Sequence, residues 1–335
     1  MQNSDATATT ATNNALQKIR QPILKDLTAI NQLIVDELFS TVPLIQTIAQ
    51  HIVTSGGKRL RPLVVLLSAK ACGYGEDTEH HELAAVIEFI HTATLLHDDV
   101  VDKSELRRGR QTANDIWGNE ASVLVGDFLY SRAFQILARR DNIPVMKVLA
   151  NTTNQLSEGE VMQLLNQHAD ISESDYYEVI RRKTARLFSA AGAIGALVGT
   201  SDRALYKTMT EFGLHLGMAY QMIDDLLDYT ANAEALGKNI GDDLAEGKAT
   251  LPLIYAIHHA QPAQAALMRH AIETGSLDNL DAILTAIDET NARTYTLNCA
   301  RHHATLALAL LNNVPASPYC DSLKALTEFV VNRNY

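Results

Sequence analysis

Two short stretches of this chain set carboxylates where carboxylates are hardest to keep. Leu95–Asp102 reads LLHDDVVD and Ile223–Asp228 reads IDDLLD. Each holds three aspartates in the pattern D-D-x-x-D inside an apolar frame, and the second motif begins 126 positions after the first. At about 100° per helical residue, Asp98 and Asp102 lie some 40° apart and Asp99 another ~60° beyond. A helix would therefore project all three from one side, within about a turn. Like charges at that spacing repel, and the macrodipole near a helix C-terminus adds to the cost. A fold that keeps both motifs has to supply something cationic, and oxygen-only donors suit hard Mg²⁺ rather than zinc. One such motif in a chain with 39 acidic residues would read equally well as a surface patch. Two framed copies favour a metal site, and neither has the D-x-D-x-D-G loop of an EF-hand.

The rest of the chain predicts helices. Gly (17) and Pro (8) are scarce among 335 residues, which favours helices over a turn-rich β design. Pro62 opens an apolar run that Gly73 closes, Pro in the first turn and Gly past the last. Acidic Glu76, Asp77 and Glu79 precede a long segment to Asp102, in which Leu83, Val86, Ile87, Ile90 and Thr94 recur at helical spacing. Asp202 is a cap for a further helix to about Asp228, and helical patterns resume after Pro252. Strand alternation is not evident. The expectation is an all-α fold of ten or more helices, one large bundle over residues 15–335, with 1–14 a polar, disordered tail.

Several function classes fall away. A net charge of −11 argues against nucleic-acid binding. The apolar stretch Ala185–Gly199 is shorter than the ~20 residues of a membrane span and is punctuated by Ser189, Gly192 and Gly195. Three widely spaced cysteines and no signal-peptide pattern point to a reducing cytoplasm. There is no P-loop, dinucleotide G-x-G-x-x-G, H-E-x-x-H or G-x-S-x-G.

Basic segments accompany both acidic motifs. Gly56–Pro62 reads GGKRLRP at a predicted helix start, where backbone N–H groups and Arg favour phosphate; alone it reads equally as a solvated turn. Arg107-Arg108-Gly109-Arg110 follows the first motif, and GKNIGDDLAEGKATL, with Lys238 and Lys248, follows the second. That repeated order points to a cavity where metal and diphosphate charges meet. By helical phase His91 shares the side of Asp98 and Gln221 that of Asp224, whereas His97 and His215 fall away as packing or surface residues. Phase does not place Lys183 and Thr184, whose chemistry reads as a helix-surface pair.

These motifs, in this order, resemble the trans-type isoprenyl (polyprenyl) diphosphate synthases over about residues 50–260, and in EFIHTATLLHDDVVD and ASVLVGDFLYSRAF most of all their bacterial long-chain members. The resemblance implies an all-α bundle around a central cavity, a homodimer, Mg²⁺ as cofactor, and condensation of isopentenyl diphosphate onto an allylic diphosphate. It implies Asp98, Asp102 and Asp224 as principal Mg²⁺ ligands, supported by Asp99, Asp225 and Asp228. Lys58, Arg61, His91 and Arg108 would hold the isopentenyl diphosphate. Arg107, Lys183 and Lys238 would hold the allylic one, with Thr184 and Gln221 near the developing cation. Small Ala93 and Thr94, where other members carry aromatics, imply an open tunnel and a long product. A class I terpene cyclase is the nearest rival, but its second motif is of the N-x-x-x-S-x-x-x-E type. A non-catalytic regulatory subunit would tend to have damaged aspartate motifs.

Overall fold

The computed structural model describes residues 14–54, 57–75, 77–107, 109–230 and 240–333. Helices dominate them. A helical segment at 14–20 and a 3₁₀ turn lead into α1 (Leu24–Glu37), followed by α2 (Pro43–Thr54), α3 (Leu60–Ala71), α4 (Glu79–Val101), α5 (Ala113–Trp117), α6 (Asn119–Arg140), α7 (Ile143–Asn166) and α8 (Glu173–Ile180). A π-helical turn, Arg181–Ala185, joins α8 to α9 (Arg186–Gly199). Then come α10 (Arg203–Leu227), α11 (Asp242–Ala245), α12 (Leu251–His259), α13 (Pro262–Thr274), α14 (Leu280–Glu289), α15 (Ala292–Leu311) and α16 (Pro318–Asn332).

The predicted punctuation is where the helices turn. Pro62 lies in the first turn of α3, and Gly73 follows its end at φ +94, a conformation other residues rarely adopt. Asp202 caps α10, its carboxylate accepting from Ala204 N–H at 2.7 Å. α4 stops at Val101 with Asp102 as its C-cap, so the first carboxylate motif does occupy a helix C-terminus. One departure is a small antiparallel hairpin, Leu106–Arg107 against Arg110–Gln111. Strands of two residues carry no alternation for a sequence pattern to reveal.

Two apolar clusters form the interior. One gathers residues of α1, α3, α4, α6, α7, α9 and α16; the other gathers α8 and α12 to α14. α10 belongs to both, giving Met209, Phe212 and Leu216 to the first and Leu214, Met218 and Met222 to the second. A helix buried on two sides is held firmly, since each buried side chain of this size contributes about 2 kcal/mol. Its C-terminal aspartates are thereby fixed in place. α9 packs against α10 at very short range: a Cβ on Gly213 would lie 2.2 Å from Phe188 O. The small residues of Ala185–Gly199 thus serve close helix packing, and no helix among the described residues is long and apolar enough to cross a membrane.

Candidate active site

The first motif splits into two kinds of carboxylate. Asp98 and Asp102 keep 17% and 11% of their side-chain surface exposed and each meets a lysine: Asp98 Oδ2 lies 3.4 Å from Lys183 Nζ, and Asp102 Oδ2 2.8 Å from Lys248 Nζ. Asp99 turns inward. Its Oδ1 accepts from both Nε and Nη2 of Arg107 at 2.7 Å, a contact the hairpin makes by folding Arg107 back onto α4. Burial pushes the Asp99 carboxyl up despite this guanidinium. Burial pulls Arg107 down, but Asp99 outweighs it and holds the guanidinium above its usual value.

The second motif repeats the division. Asp224 is 39% exposed and accepts from Arg333 Nη2 at 3.0 Å. Asp225 is buried, with Tyr176 O–H donating to Oδ2 at 2.5 Å and Gln221 Nε2 to Oδ1 at 2.7 Å. Burial, followed by the nearby Asp243, pushes its carboxyl up to about 8. Asp228, also buried, accepts from Asp243 N–H at 3.2 Å and so ties the motif to α11.

The two motifs are joined through consecutive residues. Lys183 reaches Asp98, while Thr184 Oγ1 donates to Gln221 Oε1 at 2.8 Å and, through Gln221, to Asp225. The π turn makes this possible. One widened turn shifts the side-chain phase that a regular helix would keep, which is why phase could not place this pair. Thr184 is buried and Lys183 largely so, which corrects the surface reading from chemistry. α7 fits closely against the turn, since a Cβ on Gly159 would lie 2.7 Å from Lys183 N. α7 also supplies Glu160 and Gln163, both bonded to Lys183 Nζ. Burial and then Asp98 push Glu160 up to about 8; burial lowers Lys183, but Asp98 and Glu160 hold it above its ordinary value.

Arg61 Nη1 lies 3.1 Å from His91 Nε2 and stacks over Phe188 with its guanidinium carbon 4.4 Å from the ring centroid. Arginine only donates, so His91 accepts at Nε2 and carries its proton on Nδ1. Lys58 is held at the backbone, its carbonyl accepting from Arg20 at 2.6 Å, and its ammonium lies 5.6 Å from the Phe329 ring. Arg108 and Lys238 lie outside the described residues. Thr94 is half-buried with its hydroxyl on His91 O at 2.7 Å, and Ala93 is fully buried in the first cluster. A cavity on the stripe of α4 that carries Glu88, His91, Thr92 and Leu95 also meets Leu38 and Leu129, and neither Ala93 nor Thr94 lines it. His97 meets the α6 backbone at Val123 O, 3.2 Å away, and His215 pairs with His303.

Sequence reasoning gave no role to Lys248, Glu160, Gln163, Tyr176 or Arg333. Lys248 stood in a basic segment already noted, and Gly159 marked the α7 contact. Arg333 falls in a stretch with no motif, and the π turn hid Tyr176, seven positions before Lys183.

The donor set fits a hard divalent cation. Asp98, Asp102 and Asp224 offer oxygen only, and each now faces a cation that an incoming ion could replace. Among the described residues no three of these carboxylates converge on one point. That suits ions completed by diphosphate and water oxygens better than an all-protein cage.

A helical body with two partly exposed carboxylate motifs, ringed by lysines and arginines, defines an enzyme that handles polyanions. A family model described as polyprenyl synthetase matches residues 42–288, and the chain belongs to that family. It is 47% identical to octaprenyl diphosphate synthase of Haemophilus influenzae, over 96% of this chain and 97% of that one. Identity to octaprenyl diphosphate synthase of Escherichia coli is 46%, over 95% and 99%. The crystal structure of a Caulobacter crescentus polyprenyl synthase, complexed with calcium and isoprenyl diphosphate, superposes with a TM-score of 0.91 at 41% identity, covering 95% of this chain and 98% of that one.

Proposed function

We propose that this protein is a prenyltransferase that adds isopentenyl diphosphate units head-to-tail to an allylic diphosphate, farnesyl diphosphate by preference, giving long all-trans polyprenyl diphosphates of octaprenyl length for quinone side chains. The observation that carries the reading is the bridge through Lys183 and Thr184, which places one cation and one hydroxyl between the two carboxylate motifs.

Asp98, Asp102 and Asp224 would hold Mg²⁺, which when bound supplies fixed positive charge against the departing diphosphate. Lys183 and Lys248, with Arg107 and Lys238, hold the allylic diphosphate and stabilise the negative charge that grows as its C–O bond breaks. Lys58, Arg61, His91 and Arg108 orient the isopentenyl diphosphate. Its double bond attacks the allylic cation, and the released diphosphate takes the proton that is then lost. Thr184 Oγ1 and Gln221 stand beside that cation, and buried Asp225 fixes Gln221. Apolar walls exclude water.

The chain acts as one domain, as a homodimer and in the cytoplasm. Exposed Val161, Leu164 and Leu165, at helical spacing on α7, support a second copy there. Incubation with labelled isopentenyl diphosphate, farnesyl diphosphate and Mg²⁺, followed by chromatography, tests the whole reading. A ladder ending at a long polyprenol supports it. Conversion of the allylic substrate without consumption of isopentenyl diphosphate would indicate a cyclase instead.

A further inference from the structure

At the start of α4, far from its carboxylate motif, three metal-binding side chains converge. Asp26, in the first turn of α1, places Oδ1 3.1 Å from His80 Nε2 and 2.8 Å from His81 Nε2. Their three ligand atoms lie within 4.8 Å of one another. Asp98 is eighteen residues further along α4, about 27 Å of helical rise, so this cluster is separate from the diphosphate site.

The cluster is pre-formed. His80 is 1% exposed, its ring packed against Tyr74 and His81 with centroids 4.6 and 4.1 Å away. Asp26 and His81 keep 17% and 16% of their side-chain surface in solvent, which leaves an approach on one side. As hydrogen bonds alone the trio leaves one ring nitrogen unpaired. Two imidazoles share one carboxylate oxygen, and His80 Nδ1 is buried with no partner. Moving the His80 proton from Nε2 to Nδ1 therefore breaks nothing at Nδ1. Tetrahedral ligands at about 2.0–2.2 Å from an ion stand roughly 3.3 Å apart, a few tenths of an ångström beyond the two Asp26–histidine separations. The neighbouring cation Lys70 is turned to Gly75 O, 2.8 Å away.

We propose that Asp26, His80 and His81 form a binding site for a divalent transition-metal ion of the zinc type, with water completing its shell. Two imidazoles and one carboxylate suit Zn²⁺, Co²⁺ or Ni²⁺, whereas Mg²⁺ takes oxygen. Bound there, the ion would clamp α1 to α4.

The test uses the full chain in excess Mg²⁺, titrated with Co²⁺ and read by visible absorption and by X-ray absorption at the cobalt edge. The expected result is one tight equivalent with imidazole in its shell. Asp98→Asn should keep that equivalent, and Asp26→Asn and His81→Gln should lose it. Zn²⁺ should raise Tm of the parent but not of His81→Gln. An oxygen-only cobalt shell in the parent, or an unchanged titration in His81→Gln, overturns the proposal. Should Asp26→Asn fail to fold, the parent's cobalt shell and His81→Gln decide it alone.

Discussion

Arg333 Nη2 donates to Asp224 Oδ1 at 3.0 Å and to Tyr220 O at 2.9 Å, while the guanidinium lies 4.1 Å from the Tyr220 ring centroid. A residue beyond α16 thus pins the C-terminal turn of α10. The Arg333 side chain is fully buried, so Arg333→Ala should remove its charged bonds to Asp224 and the Tyr220 carbonyl and cost about 2–3 kcal/mol, as expected for hydrogen bonds from a charged group. Urea midpoints read the loss, and Arg333→Lys should recover part of it. An unchanged midpoint for the alanine variant would show that the pin is not structural.

Asp98→Ala and Asp224→Ala should each lower turnover by several orders of magnitude while circular dichroism stays unchanged. Each removes a partly exposed carboxylate that is paired with a cation. Every ~1.4 kcal/mol of lost transition-state stabilisation is a factor of ten. Turnover near the parent's at saturating Mg²⁺, in either variant, is the result the two-motif reading does not survive.

Arg61→Ala and Lys58→Ala should chiefly raise KM for isopentenyl diphosphate, and Arg107→Ala that for the allylic substrate. Arg107→Ala carries a second signature. It leaves buried Asp99 without its forked partner, which should lower stability by about 2 kcal/mol. Asp99→Asn in the same chain should restore part of that loss. Steady-state kinetics with each substrate varied, together with denaturation curves, separate the two effects. Weakened allylic binding alone in Arg61→Ala would reverse the assignment.

Thr94→Phe should shorten the main product to about C15–C20 without abolishing condensation, because a ring one turn, ~5.4 Å, before Asp98 fills space along α4 and leaves the carboxylates in place. Ala93→Tyr should shorten it too, but Ala93 is fully buried. Overpacking there should cost about 1–3 kcal/mol as well. Thr94→Phe is therefore the cleaner variant, read by chromatography of the dephosphorylated products. An unchanged long product from both would show that this wall does not measure the chain.

His215 and His303 meet Nδ1 to Nδ1 at 2.9 Å, so one donates while the other must stay unprotonated. Burial, then His215, pushes His303 down to about 4, and burial also lowers His215; Glu211, His302 and Arg181 are the other charges acting on the pair. The folded pKa lies below the unfolded value near 6.5, so the unfolded chain takes up the proton first as pH falls. The contribution is complete above about pH 6.5 and declines toward pH 4. Discounted for partial exposure it amounts to about 1–2 kcal/mol. Urea midpoints across that window should fall less steeply for His303→Gln than for the parent. Parallel curves would refute the coupling.

Helical phase placed part of the site and failed elsewhere for definite reasons. It put Asp98, Asp99 and Asp102 on one side, but only Asp98 and Asp102 stay partly exposed, whereas Asp99 turns inward onto Arg107. It put Gln221 with the second motif, where Gln221 bonds Asp225. Phase assumes an unbroken helix, so it had no way to aim Lys183 and Thr184 across the π turn. It is also blind to partners distant in sequence: Lys248 to Asp102 spans 146 positions and Arg333 to Asp224 spans 109. Burial of Asp99 and Asp225 was likewise illegible, because it depends on Arg107 folding back from the hairpin and on Tyr176 arriving from α8.

The widened turn at Arg181–Ala185 makes this part of the chain sensitive to length in a way it is not to composition. Replacing a side chain there removes only that residue's own contacts. Deleting one residue would restore the ordinary helical repeat and rotate everything upstream by about 100° relative to α9. Lys183 would swing off Asp98, and α8 would carry Tyr176 away from Asp225 in the same movement. One missing codon between α8 and α9 would thus unmake contacts to both carboxylate motifs at once, while leaving every aspartate in place.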